Sequence, residues 1–184
     1  MPSSTKPDPS RRPGTAALLF AVASLLVLIG VAFWFWFSAP DQVPSHFGVN
    51  GQPDDWSPKS EVFGWLVPLG VGIPVVLSIR WIFEKLPIGL VNIPRKEYWL
   101  QRGERVYLLD CLMEFMRITA GACALLFALS LAQTLSVGIG KSWPDALLVL
   151  PTGVFLAIVA IAMWNLFRRL KPGGRDDREL TPER

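Results

Sequence analysis

Four apolar runs dominate this chain of 184 residues, and each run is long enough to cross a lipid bilayer. A membrane-spanning helix needs about 20 apolar residues at ~1.5 Å of rise each, because the hydrocarbon core is about 30 Å thick. The sequence therefore predicts an all-α membrane protein with four transmembrane helices, at about residues 16–37, 62–83, 118–138 and 146–167. The runs contain no Asp, Glu, Lys or Arg except Arg80.

The remaining segments complete one predicted four-helix domain, residues 16–167. A Pro/Gly-rich loop, 38–61, connects the first two helices, and an inner segment, 84–117, connects the next two. Residues 1–15 and 168–184 are predicted to be disordered tails, because proline, serine and interspersed charges predominate there. The first run is longer than the about 7–15 apolar residues of a signal-peptide core, which favours a retained helix.

The positions of lysine and arginine predict the orientation in the membrane. Sixteen of them lie in the two tails or between the second and third helices, counting Arg80 and Arg117 at the helix ends. The other two connections carry only Lys59 and Lys141. Because cytoplasmic loops carry an excess of Lys and Arg, both termini are predicted to be cytoplasmic and loop 38–61 extracytoplasmic.

Small residues and prolines predict how the helices pack and bend. The third run carries four alanines spaced four apart, Ala120, Ala124, Ala128 and Ala132. Small side chains let helix backbones approach closely in a membrane, so this face is predicted to be buried against a neighbour. Pro68 and Pro74 in the second run and Pro151 in the fourth predict bends in those two helices.

The loop from Pro44 to Lys59 holds the only histidine of the chain, His46. Asn50-Gly51 is a strong turn pair, so an extended arm can fold back and bring His46 towards Asp54 and Asp55. One imidazole and two carboxylates suit a divalent metal or acid–base chemistry. The alternative is structural, with His46 hydrogen-bonding a turn and the carboxylates capping or solvated. Structural, ligand-binding and catalytic interpretations therefore stay open for this loop.

A second group of charges, Asp110, Glu114 and Arg117, precedes the apolar part of the third run. Their spacings of four and three place them on one helical face. Charges that enter a membrane helix usually face the interior or a water-filled cavity, so a proton or ion path is one interpretation. An interfacial ion-pair cluster with Arg80 or Arg105 is the other, and the position at the inner boundary favours it.

Other chemistry has no signature here. Cys111 and Cys123 lie 12 residues apart on one predicted helix, about 18 Å, which is beyond disulfide reach. No phosphate-binding glycine loop, zinc motif or nucleophile elbow occurs, and no aromatic-basic platform for nucleic acid accompanies the net charge of +3. The sequence assigns no catalytic residue and implies no cofactor, and it leaves metal binding by the loop open.

Two strings carry a resemblance to a known family. VPSHFGVNGQPDDWSPK and the later NIPRKEYWL resemble an uncharacterised domain of bacterial integral membrane proteins, whose members include relatives of the SdpI immunity and signal-transduction protein. The resemblance covers about residues 16–137. In the loop the matching residues are Pro44, His46, Phe47, Gly51, Asp54, Trp56 and Lys59. In the inner segment they are Asn92, Pro94, Tyr98 and Trp99.

The resemblance implies a multi-pass protein of the bacterial cytoplasmic membrane without an established general activity. The favoured hypothesis is a non-enzymatic protein that senses or binds an extracytoplasmic peptide or cell-envelope ligand through residues 44–59, and that signals to a cytoplasmic regulator. Two alternatives stay open: a small transporter that uses Asp110, Glu114 and Arg117, and a metal-dependent membrane enzyme that uses His46 and Asp54.

Overall fold

Six α-helices and one two-stranded hairpin make up the part of the chain that the computed structural model describes, namely residues 14–48, 52–87, 89, 93–141 and 149–171. In chain order the elements are α1 (Thr15–Ser38), β1 (Gln42–Phe47), β2 (Pro53–Pro58), α2 (Lys59–Ser78), α3 (Arg80–Lys85), α4 (Lys96–Gln101), α5 (Arg105–Gly138) and α6 (Leu150–Arg169). The hairpin is the one departure, within these residues, from the all-α prediction.

Four of the helices, α1, α2, α5 and α6, are long and apolar enough to cross a membrane, which confirms the prediction of four such helices. The second predicted span is divided, because α2 ends at Ser78 and α3 begins at Arg80. Ile79 between them has an extended backbone, with φ −82° and ψ 103°. Arg80 therefore lies in a separate short helix instead of in the apolar span.

The third long helix extends further than its apolar run. α5 contains 34 residues, which corresponds to about 50 Å at ~1.5 Å per residue and exceeds the about 30 Å of a hydrocarbon core. It begins at Arg105, so the segment 84–117 is not a single connection. Part of it forms α4, and its end forms the first turns of α5, where Asp110, Glu114 and Arg117 lie.

The bundle is organised around α5, which packs against α1, α2 and α6. Ala120, Ala124 and Ala128 are buried, as the alanine ladder predicts, and Ala132 is half-buried. Gly121 brings α5 close to α1: a Cβ atom placed there would lie 2.4 Å from the Phe20 ring. Small residues on α5 therefore set the distance between these helices.

Side-chain size, more than polarity, separates the two faces of α1. Its buried face consists mostly of small residues and repeats every three or four positions: Ala17, Ala21, Ser24, Leu28, Ala32 and Phe35. Large apolar side chains, including Leu19, Leu26, Phe33 and Phe37, are exposed on the outside of the bundle. This arrangement suits a lipid surround, because packing and not apolar burial drives helix association there.

The prolines occupy two different helical positions. Pro68 and Pro74 lie inside α2, and the Ser78 hydroxyl donates a hydrogen bond of 2.8 Å to the Pro74 carbonyl. Pro151 instead lies in the first turn of α6. The missing N–H of proline is harmless at a helix start, so Pro151 removes no hydrogen bond within α6, and the bend at Pro151 stays a prediction.

Several predictions fall outside the described residues. They are the tails 1–13 and 172–184, the turn at 49–51 that includes Gly51, the residue Asn92, and the start of the fourth predicted helix within 142–148.

Candidate functional site

The loop after α1 folds back on itself as an antiparallel hairpin of β1 and β2. Val43 pairs with Ser57, Pro44 with Trp56 and His46 with Asp55, and irregular register on both sides of His46 marks a bulge. Two strands leave an unpaired edge on each side, so prolines without an N–H fit here. The predicted fold-back is therefore observed. The two arms also pair as β-strands, which the turn residues alone do not indicate.

The hairpin brings His46 and Asp54 into contact. The Nδ1 atom of His46 donates to Oδ1 of Asp54 at 2.6 Å, and the side chains are 69% and 55% exposed. A carboxylate oxygen accepts hydrogen bonds, so Nδ1 is the donor, and Nε2 is the ring nitrogen that lies outside this contact. The pair therefore orients the imidazole and leaves its Nε2 atom for other contacts.

A second side-chain pair lies beside the first. The Ser45 hydroxyl donates to Oδ2 of Asp55 at 3.0 Å. Ser45 lies within the matching string but was not among the predicted site residues, because serine in a loop carries no distinctive sequence signal. Trp56 follows with 47% of its surface exposed, and Phe47 is half-buried. The hairpin thus carries two carboxylates, an imidazole and an exposed aromatic ring within two short strands.

The base of the hairpin is fixed to the helix bundle. Val43 is fully buried with Phe35 of α1, Val62 of α2 and Leu131 and Leu135 of α5. Pro44 is fully buried too. The exposed pairs are therefore held on an element that is anchored in the core.

Lys59 closes the base of the hairpin and is the first residue of α2. Its ammonium donates to the Ala39 carbonyl at 3.1 Å, and its backbone N–H donates to the Asp41 carbonyl at 2.9 Å. Lys59 therefore ties the end of α1 to the start of α2. Because β2 runs directly into α2, any displacement of the hairpin reaches this helix without an intervening loop.

The described residues of the inner segment form an aromatic cluster at the opposite end of the bundle. Trp99 is buried, its Nε1 donates to the Leu170 carbonyl at 3.4 Å, and its ring lies 5.2 Å from Tyr98. The Tyr107 hydroxyl donates to the Arg169 carbonyl at 3.0 Å. These donors satisfy carbonyl groups that the C-terminus of α6 leaves unpaired. Pro94 lies nearby, half-buried, before α4.

The charged residues at the start of α5 contact three different parts of the protein. Asp110 accepts from Arg80 of α3, Glu114 accepts from Arg169 of α6, and Arg117 donates to the Gly14 carbonyl before α1 at 3.4 Å. Arg80 also donates to Glu84. The hydrogen bonds to Glu84 and Asp110 raise the pKa of Arg80 above its ordinary value. This arrangement matches the predicted ion-pair cluster with Arg80, and the cluster joins the ends of helices.

Arg105 is not part of that cluster, since its guanidinium donates to the Glu84 carbonyl at 3.1 Å. Arg169 is a partner of Glu114 that the sequence does not predict. It lies 55 positions from Glu114, and no local spacing indicates so distant a pair. Among the residues that the structure describes, the Nε atom of Arg117 is buried and has no hydrogen-bond partner.

The described residues contain no group of three or more His, Cys, Asp or Glu side chains placed to hold a metal ion. His46 and Asp54 are in direct contact, and Asp55 is engaged by Ser45. A metal ion at the hairpin would therefore need further ligands, such as water molecules, in addition to these side chains.

The hairpin also coincides with the part of the chain that matches a known family. The profile of Domain of unknown function (DUF1648) matches residues 23–70. The DUF1648 match includes most of α1, the whole hairpin and the first half of α2, about a quarter of the chain. The inner aromatic cluster and the α5 charges lie beyond it. No curated protein and no solved structure matches the chain.

Proposed function

We propose that this protein binds an extracytoplasmic ligand through the hairpin and transmits the binding event through α2 towards the cytoplasmic side. The observation that carries the proposal is the exposed hydrogen bond between His46 and Asp54. Exposed ion pairs contribute only about 0–1 kcal/mol to stability, so this pair is not what holds the hairpin. Val43 and Lys59 do that, which leaves the pair free to serve recognition.

The chemistry of the hairpin favours a basic peptide as the ligand. Residues 42–58 contain Asp54 and Asp55 and no Lys or Arg, and Trp56, the next residue in the chain, has an exposed ring. A lysine or arginine side chain can pair with the carboxylates and pack against the indole ring. The resemblance to SdpI-like immunity and signal-transduction proteins supports a peptide ligand and a cytoplasmic regulator as partners.

The proposal needs the hairpin outside a bacterial cytoplasmic membrane and both termini inside. The excess of Lys and Arg in the tails and around α3 and α4 supports this orientation. In a variant with Cys111 and Cys123 replaced by alanine, we expect Asp41→Cys to react with a membrane-impermeant thiol reagent in intact cells. Lys171→Cys should react only after the membrane is opened. The reverse pattern would place the hairpin in the cytoplasm and contradict the proposal.

The recognition role predicts loss of response without loss of protein. Cells that produce the protein are challenged with a panel of basic, envelope-active peptides, and survival and transcript levels are compared with cells that lack it. We expect His46→Asn and Asp54→Asn each to abolish the difference, because asparagine cannot reproduce the charge-assisted pair. Membrane abundance should stay unchanged.

Asp41→Asn is the matched control, since Asp41 is 99% exposed and lies outside the paired strands. We expect it to respond like the wild type. A wild-type response from both His46→Asn and Asp54→Asn would remove the pair from the function. So would an absence of any peptide-dependent difference between producing and non-producing cells.

A further inference from the structure

A crevice of about 700 Å³ lies at the end of the bundle opposite the hairpin, between the start of α1, the first part of α5 and the last part of α6. Neither the hairpin nor the aromatic cluster contributes to it. Its walls are of two kinds. The apolar walls come from Phe20, Ile118, Ile158 and Ile161, and the polar groups are Thr15, Glu114, Asn165 and Arg168.

These two kinds of wall are separated along the helices. On α6 the apolar Ile158 and the charged Arg168 are ten positions apart, about 15 Å at ~1.5 Å per residue. On α5 the charged Glu114 and the apolar Ile118 are one turn apart, and Glu114 is the nearer of the two to the end of the bundle. The polar groups therefore gather at the end of the bundle, and the apolar walls extend towards its middle. This division suits an amphiphile with its headgroup at the membrane surface.

The charge of the crevice selects the kind of headgroup. Glu114 accepts a hydrogen bond from Arg169, so its negative charge is already compensated. Arg168 is exposed, and no carboxylate in the described part of the chain forms an ion pair with it. The crevice thus presents one uncompensated cation beside the half-buried amide of Asn165. An anionic group complements this arrangement, whereas a cationic group does not.

We propose that the crevice is a binding site for one anionic phospholipid of the surrounding leaflet. Arg168 and Asn165 bind the headgroup phosphate, and an acyl chain lies along Phe20, Ile118 and Ile158. The lipid fills the space between α1 and α6 and thereby supports the end of the bundle where Arg117 reaches the Gly14 carbonyl. This site is separate from ligand binding at the hairpin and does not depend on it.

The test measures thermal unfolding of the purified full-length protein in detergent. Phosphatidylglycerol and phosphatidylcholine with identical acyl chains are added separately. We expect saturating phosphatidylglycerol to raise the melting temperature by about 5 °C and phosphatidylcholine to raise it much less. Native mass spectrometry should count one bound phosphatidylglycerol. Soluble glycerol phosphate, which has the charge but no acyl chain, should have no effect.

Two variants locate the lipid. Arg168→Gln should weaken phosphatidylglycerol binding about tenfold, because a charge-assisted hydrogen bond is lost. Lys171→Gln is the matched control: Lys171 is an exposed cation three residues further on that does not line the crevice, and its variant should bind like the wild type. Ala16→Phe places a ring in the crevice from an exposed position of α1 and should remove the stabilisation by lipid.

Three results would overturn the site. They are equal stabilisation by the two lipids, equal phosphatidylglycerol affinity of Arg168→Gln and the wild type, or equal weakening by Lys171→Gln and Arg168→Gln, which would indicate general attraction to a basic end. Should Ala16→Phe fail to fold, the comparison between Arg168→Gln and Lys171→Gln decides alone. Stabilisation by glycerol phosphate as large as that by phosphatidylglycerol would contradict a lipid occupant.

Discussion

Replacing Val43 with aspartate is expected to detach the hairpin from the helix bundle and to lower the free energy of unfolding by about 3–5 kcal/mol. Val43 is fully buried and contacts the ends of three helices. The substitution removes about 1.5–3 kcal/mol of side-chain burial and places a carboxyl group where no partner compensates it. The hairpin can leave this environment only by giving up its contact with Phe35, Val62 and Leu135.

Gln42→Asp is the control for this prediction. The substitution adds the same charge at the adjacent position of β1, but the side chain of residue 42 is exposed. Unfolding in detergent, followed by circular dichroism, gives the two free energies. The hairpin response of Val43→Asp should be lost together with stability, whereas Gln42→Asp should keep both. Equal stability of the two variants would show that Val43 does not anchor the hairpin.

Replacing Gly121 with leucine is expected to force α1 and α5 apart and to lower the free energy of unfolding by about 1–3 kcal/mol. Even a single Cβ atom at Gly121 would lie 2.4 Å from the Phe20 ring, which is closer than two carbon atoms pack. The branched side chain adds three further carbons to the same contact. The Phe20 ring must then move, and the tight approach of the two helices is lost.

Gly30→Leu is the matched control, because nothing lies within 4 Å of a Cβ atom at Gly30 in the outer face of α1. It carries the same gain in helix propensity and in apolar surface without the clash. Phe20→Ala combined with Gly121→Leu should recover part of the lost stability, since the two residues share one contact. If Gly121→Leu is as stable as Gly30→Leu, the close approach is not required.

Local sequence signals were sufficient for the four long helices of this protein and for the fold-back of its loop, but not for the two strands or the short helices α3 and α4. Four apolar runs of sufficient length predict four spanning helices, because a bilayer leaves few other ways to satisfy backbone hydrogen bonds. The approach of His46 to Asp54 follows from turn residues only a few positions away. Such features depend on residues that are close together in the chain, so the sequence indicates them directly.

The partners of the charged residues were decided by the tertiary structure. Asp110, Glu114 and Arg117 share a helical face, as their spacing predicts, yet they contact Arg80, Arg169 and the Gly14 carbonyl on three separate elements. The anchoring of Val43 likewise depends on the simultaneous position of three helix ends. Contacts between residues 30 to 103 positions apart leave no periodic signal.

The sequence by itself thus determined how many helices are long and apolar enough to cross a membrane, and which loop brings a histidine to a carboxylate. The tertiary structure alone decided which face of α1 is buried and where a crevice remains between α1, α5 and α6. The physical reason is that α1 is apolar on every side, so hydrophobicity marks neither face. Small residues such as Ala21 and Gly121 permit close contact between helices, and large residues such as Leu26 lie on the exposed surface, which suits a lipid surround.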